Sequence, residues 1–135
     1  MATRLNPYLR FDGNARQAME FYRDVLGGEL STNLFSDFSD DPSVADKVMH
    51  AQLETEGDLT LMASDTPPGS EHRPGNNIAI SLSGDDADKL RNYWQRLSEG
   101  GQVTVPLEKQ MWGDEYGSCI DRFGVEWMIN ISQAG

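Results

Sequence analysis

A chain of 135 residues, with 38% hydrophobic and 24% charged residues, has the composition of one globular domain, and it can bury roughly 65–70% of its unfolded surface. The net charge of −11 argues against a nucleic-acid partner, which would select a basic face, but it leaves a cationic ligand open. No stretch resembles a signal peptide or spans a bilayer, and the single cysteine cannot form an internal disulfide. We therefore expect a cytoplasmic protein without a membrane anchor.

The first predicted elements are a strand and a helix, in the stretch NPYLRFDGNARQAMEFYRDVLGGEL. Leu5, Leu9 and Phe11 alternate with polar residues, which is typical of a half-buried strand. The helix is predicted to begin after a cap at Asn14 and to end at the Gly-Gly pair, because glycine accepts the left-handed conformation found at helix ends. Its apolar residues recur three and four apart: Ala15, Ala18, Met19, Tyr22, Val25 and Leu26.

Two further strands, KVMHAQLE and DLTLMAS, are predicted to complete a first module, joined by a tight turn at Glu56-Gly57-Asp58. The acidic segment SDFSDDPSVAD before them is interpreted as a solvated loop. The Pro- and Gly-rich stretch SDTPPGSEHRPGNN suits neither helix nor strand and is interpreted as a linker. We place the first module at about 4–65, the linker at about 66–75 and a second module at about 76–132.

The same pattern returns roughly seventy residues later, in NNIAISLSGDDADKLRNYWQRLSEGGQV. A strand is followed by a helix that Asp85 or Asp86 can cap, and a second Gly-Gly pair ends it. The predicted apolar stripe of this helix is Ala87, Leu90, Trp94 and Leu97. After the strand that begins at QVTVPL, the strands YGSCI and VEWMINI flank the turn DRFG.

This element order predicts an α+β fold of two β-α-β-β-β modules, which form a curved mixed sheet with the helices outside. The apolar parity of each strand should face a helix. These core residues are Leu5, Leu9 and Phe11; Met49, Ala51 and Leu53; Ile78, Ile80 and Leu82; and Val125, Trp127, Ile129 and Ile131.

The opposite parity of the strands is polar without being lysine-rich. Its residues are Asn6, Tyr8 and Arg10; His50, Gln52 and Glu54; Asn77, Ala79 and Ser81; and Glu126, Met128 and Asn130. Two interpretations stay open, a simple solvent-facing sheet and a concave surface that binds a small molecule. For the second, Tyr8 and Arg10 could bind an anionic or carbonyl-bearing ligand, since Arg offers a fork of donors.

Two other residue types bear on chemistry. His50 is the best candidate for a general base or ligand contact, and its alternative is a buried structural histidine. Cys119 is interpreted as a small core residue, because no His or Asp accompanies it in a catalytic arrangement. The chain has no G-x-G-x-x-G and no phosphate loop, so no site for a nucleotide or S-adenosylmethionine is predicted.

Three segments, YLRFDGNARQAMEFYRDVLGGEL, KVMHAQL and LSEGGQVTVPLEKQMWGDEYGSCIDRFGVEWMI, resemble the vicinal oxygen chelate superfamily of glyoxalase I, extradiol dioxygenases, and bleomycin- and fosfomycin-resistance proteins. More narrowly, they resemble its PhnB-like subgroup, whose members are labelled 3-demethylubiquinone-9 3-methyltransferase-like. The resemblance covers nearly the whole chain. It implies a glyoxalase/bleomycin resistance-like fold and a homodimer, and it places Trp112 and Asp114, in the WGD run, beside the mouth of the cavity.

Enzymes of this superfamily carry His and Glu metal ligands on four strands, and the resemblance places those positions at Asn6, His50, Asn77 and Met128. Only His50 is a good ligand for a divalent cation, whereas a catalytic zinc site needs three protein ligands. We therefore expect no metal and no other cofactor, with a divalent metal at an atypical site as the alternative.

The predicted function is that of a PhnB-like protein of unassigned activity, catalytic or not, which binds a small molecule in a polar cavity without metal. The alternatives are a metal-dependent isomerase, lyase or dioxygenase, and a drug-sequestering protein whose acidic charge holds a cation. The predicted ligand-binding residues are Asn6, Tyr8, Arg10, His50, Gln52, Asn77, Ser81, Trp112, Asp114, Glu126 and Met128.

Overall fold

The computed structural model describes residues 3, 5–37, 40, 42, 45–55, 59–67 and 70–133. The predicted turn at Glu56-Gly57-Asp58 lies outside these residues, as do parts of the acidic loop and of the linker. The elements are β1 (Tyr8–Phe11), α1 (Ala15–Leu26), β2 (Glu29–Leu34), a 3-10 turn (Phe35–Asp37), β3 (Val48–Glu54), β4 (Thr60–Asp65), β5 (Ile80–Gly84), α2 (Ala87–Ser98), β6 (Gln102–Lys109), β7 (Glu115–Ile120) and β8 (Glu126–Ile131).

The chain divides into two compact units, Met1–Pro74 and Gly75–Gly135, and each contains one β-α-β-β-β run. Each unit has a four-stranded sheet, with the order β1-β4-β3-β2 in the first and β5-β8-β7-β6 in the second. The strand before the helix pairs in parallel with the last strand of its unit, and the other pairings are antiparallel. The predicted α+β class is therefore confirmed, as two mixed sheets with two helices.

In the first unit, α1 covers one face of the sheet and contacts β2, β3 and β4. All six residues predicted for its apolar stripe are buried. The prediction for Leu5 is wrong, because β1 begins only at Tyr8 and the Leu5 side chain is 99% exposed. On β3, Val48 is buried and Met49 half-buried, because the register shifts where β2 pairs with the start of this strand.

In the second unit, α2 buries Leu90, Tyr93 and Leu97. The prediction that Trp94 belongs to the buried stripe is wrong, because the helix turns Tyr93 inward. Trp94 is half-buried, and its ring packs so closely on β7 that a Cβ added to Gly117 would lie 2.9 Å from it. Ile78 was also predicted as core, but it precedes β5 and is 81% exposed. Leu82 and the inward residues Trp127, Ile129 and Ile131 of β8 are buried as predicted.

The two helices begin in different ways. Asn14 occupies the N-cap of α1, but its side chain makes no cap hydrogen bond. Instead the buried carboxylate of Asp65 accepts from the backbone N–H of Ala15 at 2.9 Å and from that of Val48 at 2.8 Å. In α2 the predicted cap is present, since Asp86 accepts from the backbone N–H of Lys89 at 3.2 Å.

Both Gly-Gly pairs end a helix as predicted, and the second glycine of each has a further role. A Cβ on Gly28 would overlap the carbonyl oxygen of Glu54, at the end of β3. A Cβ on Gly101 would overlap the carbonyl oxygen of Ile120, at the end of β7. The chain therefore passes so close to the third strand of each unit that only glycine fits there.

Neither helix among the described residues is both long and apolar enough to cross a membrane.

Candidate functional site

The face of the first sheet opposite α1 carries polar side chains at alternate positions of each strand; we call it the first polar face. Strand register sets its composition, because side chains of paired residues point to the same side. Tyr8 pairs with Met62, which also pairs with Gln52, and Gln52 pairs with Ser31. The same face holds Arg10 and Ser64, His50 and Asn33, and Glu54 with Thr60 and Glu29.

Five of these side chains form a continuous hydrogen-bonded series that we call the polar row. The hydroxyl of Tyr8 lies 3.4 Å from Nδ1 of His50, and Nε2 of His50 lies 3.4 Å from Oε1 of Gln52. Nε2 of Gln52 donates to Oε1 of Glu54 at 2.5 Å, and the Thr60 hydroxyl donates to Oε2 of Glu54 at 3.0 Å. The row begins with Tyr8 on β1, reaches across to the three side chains of β3, and returns to Thr60 on β4, the strand between them.

The sequence produces this row through strand periodicity. His50, Gln52 and Glu54 are two residues apart on β3, so they share a face and their Cα atoms are about 7 Å apart, within bridging distance of long side chains. Tyr8 lies on β1, which β4 separates from β3. Its long phenol ring extends over β4 toward the imidazole, and the two ring centroids are 5.8 Å apart.

Arg10 stands on the first polar face, two residues beyond Tyr8. Its side chain is exposed. It has no ion pair or hydrogen bond to any residue within the described parts of the chain. The Arg10 guanidinium therefore leaves a strong donor fork available to a ligand.

The corresponding face of the second sheet, the second polar face, is organised as separate pairs. Met128 on β8 lies in register between Ser81 of β5 and Ser118 of β7. The Ser118 and Thr104 hydroxyls are 2.6 Å apart. The Glu126 side chain on the same parity is half-buried, and Glu126 pairs with Ile120 of β7.

Asp114 holds the beginning of the β7–β8 hairpin. Its carboxylate accepts from the Asn130 amide at 3.1 Å and from the backbone N–H of Gln133 at 3.4 Å. It is therefore a structural acceptor within the second unit. Trp112, two residues earlier, projects from the turn between β6 and β7 and is 62% exposed.

Two of the predicted ligand-binding residues lie before the strands on which we expected them. Asn6 is half-buried and precedes β1, and Asn77 is exposed and precedes β5. The reason is pairing, since the parallel ladders begin only at Tyr8 with Met62 and at Ile80 with Trp127. Tyr8, His50 and Gln52 are thus brought together in the first unit, and Ser81 and Met128 in the second.

The side chains at the four positions that the resemblance assigns to metal ligands are a poor donor set. Asn6 and Asn77 offer amide oxygens and Met128 a thioether, which favours soft ions. Both ring nitrogens of His50 face protein partners, Tyr8 and Gln52. No group of three or more His, Cys, Asp or Glu among the described residues is arranged to hold a metal ion. The residues present therefore do not fit a divalent metal centre, and the absence of a metal stays a prediction.

Cys119 is a core residue, as predicted. It is fully buried in β7. Desolvation by burial, with a smaller contribution from the Asp121 carboxylate, raises the pKa of the Cys119 thiol to about 11. A thiol with so high a pKa carries little thiolate at neutral pH and is a poor nucleophile.

Two members of the polar row were absent from the predicted ligand-binding set. Glu54 belongs to the predicted polar parity but not to the predicted site, and Thr60 belongs to neither. The alternation of Thr60 and Met62 with Leu61 and Ala63 on β4 was the available signal. Neither could be connected to His50 without the register of β3 and β4.

The sequence and the fold are matched by known proteins. The profile of the Glyoxalase/Bleomycin resistance protein/Dioxygenase superfamily matches residues 4–129. The chain belongs to this superfamily, which confirms the resemblance found in its motifs.

Individual relatives agree with this assignment. The chain is 37% identical to the crystal structure of protein PA1353 from Pseudomonas aeruginosa, which it matches with a TM-score of 0.89 over 98% of this chain and 100% of that one. It is 25% identical to protein YjdN of Escherichia coli K12 over 94% of each chain. A PhnB protein from Bacillus cereus shares the fold, with 19% identity and a TM-score of 0.78 over 96% of this chain and 100% of that one.

Proposed function

We propose that this protein is a PhnB-like member of the superfamily that binds a small molecule on the first polar face, in the cytoplasm and without a metal ion. The observation that carries the proposal is the polar row together with the unpaired Arg10 beside it. Side chains on an ordinary wet sheet face are solvated separately. Here they are held by one another, which preorganises the face and lowers the entropy cost of binding.

The composition of the face supports a polar organic ligand. Along β1 it offers a phenol hydroxyl and a guanidinium, and along β3 an imidazole, an amide and a carboxylate. Such a set fixes the orientation of a ligand through directional hydrogen bonds. It contains an imidazole that could exchange protons with a ligand, so His50 is the residue we propose for any catalytic step.

The two alternatives make different demands. A metal-dependent isomerase, lyase or dioxygenase needs a donor set that Asn6, His50, Asn77 and Met128 do not supply. A drug-sequestering protein needs an acidic surface, and the net charge of −11 favours that function over the metal enzyme.

The test is a ligand screen by thermal shift on the wild type and two variants. A ligand that binds the folded protein raises the unfolding midpoint by mass action. We expect the shift to be lost in Arg10→Ala and kept in Arg16→Ala, which removes the same charge from the exposed side of α1. A hit that both variants retain would place the binding elsewhere, and bleomycin-like cations as the sole hits would favour sequestration.

Metal content is measured on protein purified without chelator. We expect substoichiometric zinc, nickel, iron and manganese, and no change in His50→Ala. Stoichiometric metal that is lost in His50→Ala would instead support the metal-dependent alternative.

We also propose a homodimer. The edge strand β6 supports this, since it exposes its unpaired side and the side chains of Val103 and Val105. Edge strands with exposed apolar residues are sites of association. Light scattering after size exclusion should give twice the mass of one chain, and a monomer at all concentrations would contradict it.

A further inference from the structure

The polar row has a fixed direction, which the Gln52 amide sets. A carboxylate has only acceptor oxygens, so the group that Gln52 presents to Glu54 must be its NH₂. The opposite orientation would place the amide oxygen against the carboxylate, with two acceptors in contact. The Gln52 oxygen therefore faces His50 and needs a donor there.

That requirement selects the tautomer of His50. A neutral imidazole carries one N–H, and Nε2 must donate it to Oε1 of Gln52. Nδ1 is then an acceptor, and the group 3.4 Å from it is the Tyr8 hydroxyl. The proton of Tyr8 is consequently directed at His50, so the donors of Tyr8, His50 and Gln52 all point along the row toward the Glu54 carboxylate.

The direction of the row determines what Tyr8 offers to a ligand. With its proton engaged by His50, the phenol oxygen has only lone pairs left for other partners. Tyr8 is 45% exposed, so these lone pairs are accessible. Arg10, two residues along the same face of β1, is a pure donor with a positive charge. The Cα atoms of Tyr8, which supplies the acceptor, and Arg10, which supplies the cationic donor, stand roughly 7 Å apart.

We propose that the first polar face recognises a small carboxylate that carries a hydroxyl or amino group a few atoms away from the carboxyl group. The carboxylate accepts from the Arg10 guanidinium, and the hydroxyl or amino group donates to the Tyr8 oxygen. Gln52 and Glu54 are positioning residues that act through His50. This inference rests on the proposed function and narrows it to one ligand class.

The first test measures the tautomer and needs no ligand. Nitrogen-15 NMR of the imidazoles, recorded over a pH series that isolates the signals of the neutral form, distinguishes protonated from unprotonated ring nitrogens. We expect His50 to carry its proton on Nε2, with Nδ1 unprotonated, and expect this preference to weaken in Gln52→Leu. His50→Gln assigns the signal against His72. A proton on Nδ1 would overturn the proposal, because the Tyr8 hydroxyl would then be free to donate outward.

The second test uses three matched probes: 4-hydroxybutyrate, 4-methoxybutyrate without the donor, and methyl 4-hydroxybutyrate without the anion. We expect the wild type to bind the first about tenfold or more tightly than the ester and several-fold, roughly threefold to tenfold, more tightly than the methoxy analogue, because a hydrogen bond to a charged group contributes more than one between neutral groups. Arg10→Gln should abolish the preference for the free acid over the ester. Tyr8→Phe should abolish the preference for hydroxyl over methoxy.

The outcomes separate the two proposals. Equal binding of the three probes, or binding that neither substitution changes, would overturn the ligand class while leaving small-molecule binding intact. The ligand class would also be overturned by a neutral ligand from the thermal-shift screen whose binding is lost entirely in Arg10→Ala. If no compound in either experiment depends on Arg10, both proposals fail.

Discussion

The two units of this chain have the same element order and strand pairing, yet their polar faces are organised differently. In the first unit five side chains form one hydrogen-bonded row. In the second the corresponding face has separate contacts, such as the Thr104–Ser118 pair and the Asn130–Asp114 pair. At the centre of each face the register places a methionine, Met62 in one and Met128 in the other.

The difference shows that strand pairing and surface chemistry are set by separate parts of the sequence. The residues facing the helices fix the pairing, and both units keep them apolar. The opposite parity is free to diverge without loss of the fold. The first unit uses that freedom for an ordered polar surface, and so it is the better candidate for recognition.

The largest effects should come from the position at which the two units are most alike. Gly28→Ala and Gly101→Ala should each lower the free energy of unfolding by on the order of 4 kcal/mol, because the new Cβ would overlap backbone that cannot move aside. Gly13→Ala is the control: Gly13, like Gly28, has a positive φ, of 91°, but no atom lies within 4 Å of the new Cβ, so about 1 kcal/mol is expected. Urea denaturation measures the free energy of unfolding of all three variants. If only one of Gly28→Ala and Gly101→Ala lost stability, the two glycines would not be equivalent.

The next largest difference in stability between the units should come from their buried carboxylates, Asp65 in the first and Asp121 in the second. Asp65→Asn should cost about 3 kcal/mol, because it turns an amide NH₂ toward one of two buried backbone N–H groups that belong to distant segments. Asp121→Asn should cost about half as much, since Asn also supports the local turn to Phe123 and Val125, and the replaced oxygen is the one that accepts from Nε1 of Trp127. Denaturant midpoints compare them. Equal losses would mean that long-range and local carboxylates matter alike.

The single cysteine, Cys119, is buried in the second unit. Ionisation of its thiol should therefore make the stability of that unit depend on pH in alkaline solution. The pKa of Cys119 is raised to about 11 in the folded protein, so between its ordinary value near 9 and 11 the unfolded chain ionises first. Stability should therefore fall as the pH rises through this window, by roughly 2 kcal/mol from this group. Cys119→Ala should flatten the pH dependence of urea stability between pH 8 and 10.5. An identical slope in both proteins would contradict the assignment.

The smallest difference should lie at the helix starts. Asp86→Ala should cost about 1 kcal/mol, because it removes a side-chain cap from α2. Asn14→Ala should cost only a few tenths of a kcal/mol, since Asn14 makes no cap hydrogen bond. The Asp65 carboxylate accepts from the first backbone N–H of α1 instead. Thermal unfolding of the two variants compares them directly. A large loss for Asn14→Ala would show a role that its contacts do not reveal.

Sequence periodicity predicted the elements, both helix stops and most of the core, because alternation and helical spacing are local properties. It failed at the strand starts. Leu5 and Ile78 continue the apolar alternation, but the strand begins only where a partner exists, and the pattern of one strand does not contain that information. Spacing alone likewise favours Trp94 over Tyr93, whereas the folded helix buries Tyr93 and leaves Trp94 half-buried against Gly117 of β7.

The candidate site was predictable only in part. The alternation of side chains along the strands predicts that Tyr8, Arg10, His50 and Gln52 lie on a polar sheet face. The order of the polar row depends on which residue of β4 stands beside which residue of β3, and on side-chain reach across β4. Parity therefore assigns Glu54 to the polar face but gives no reason to include it in the site, although it anchors the row.

The distribution of the tryptophans gives the two units separate optical signals. All three occur in the second unit, where Trp127 is buried, Trp94 is half-buried and Trp112 is exposed. Indole fluorescence consequently reports the unfolding of the second unit only, while far-ultraviolet circular dichroism reports both. Coincident transitions would mean that the two units unfold as one cooperative system, and separated transitions would give each unit its own stability.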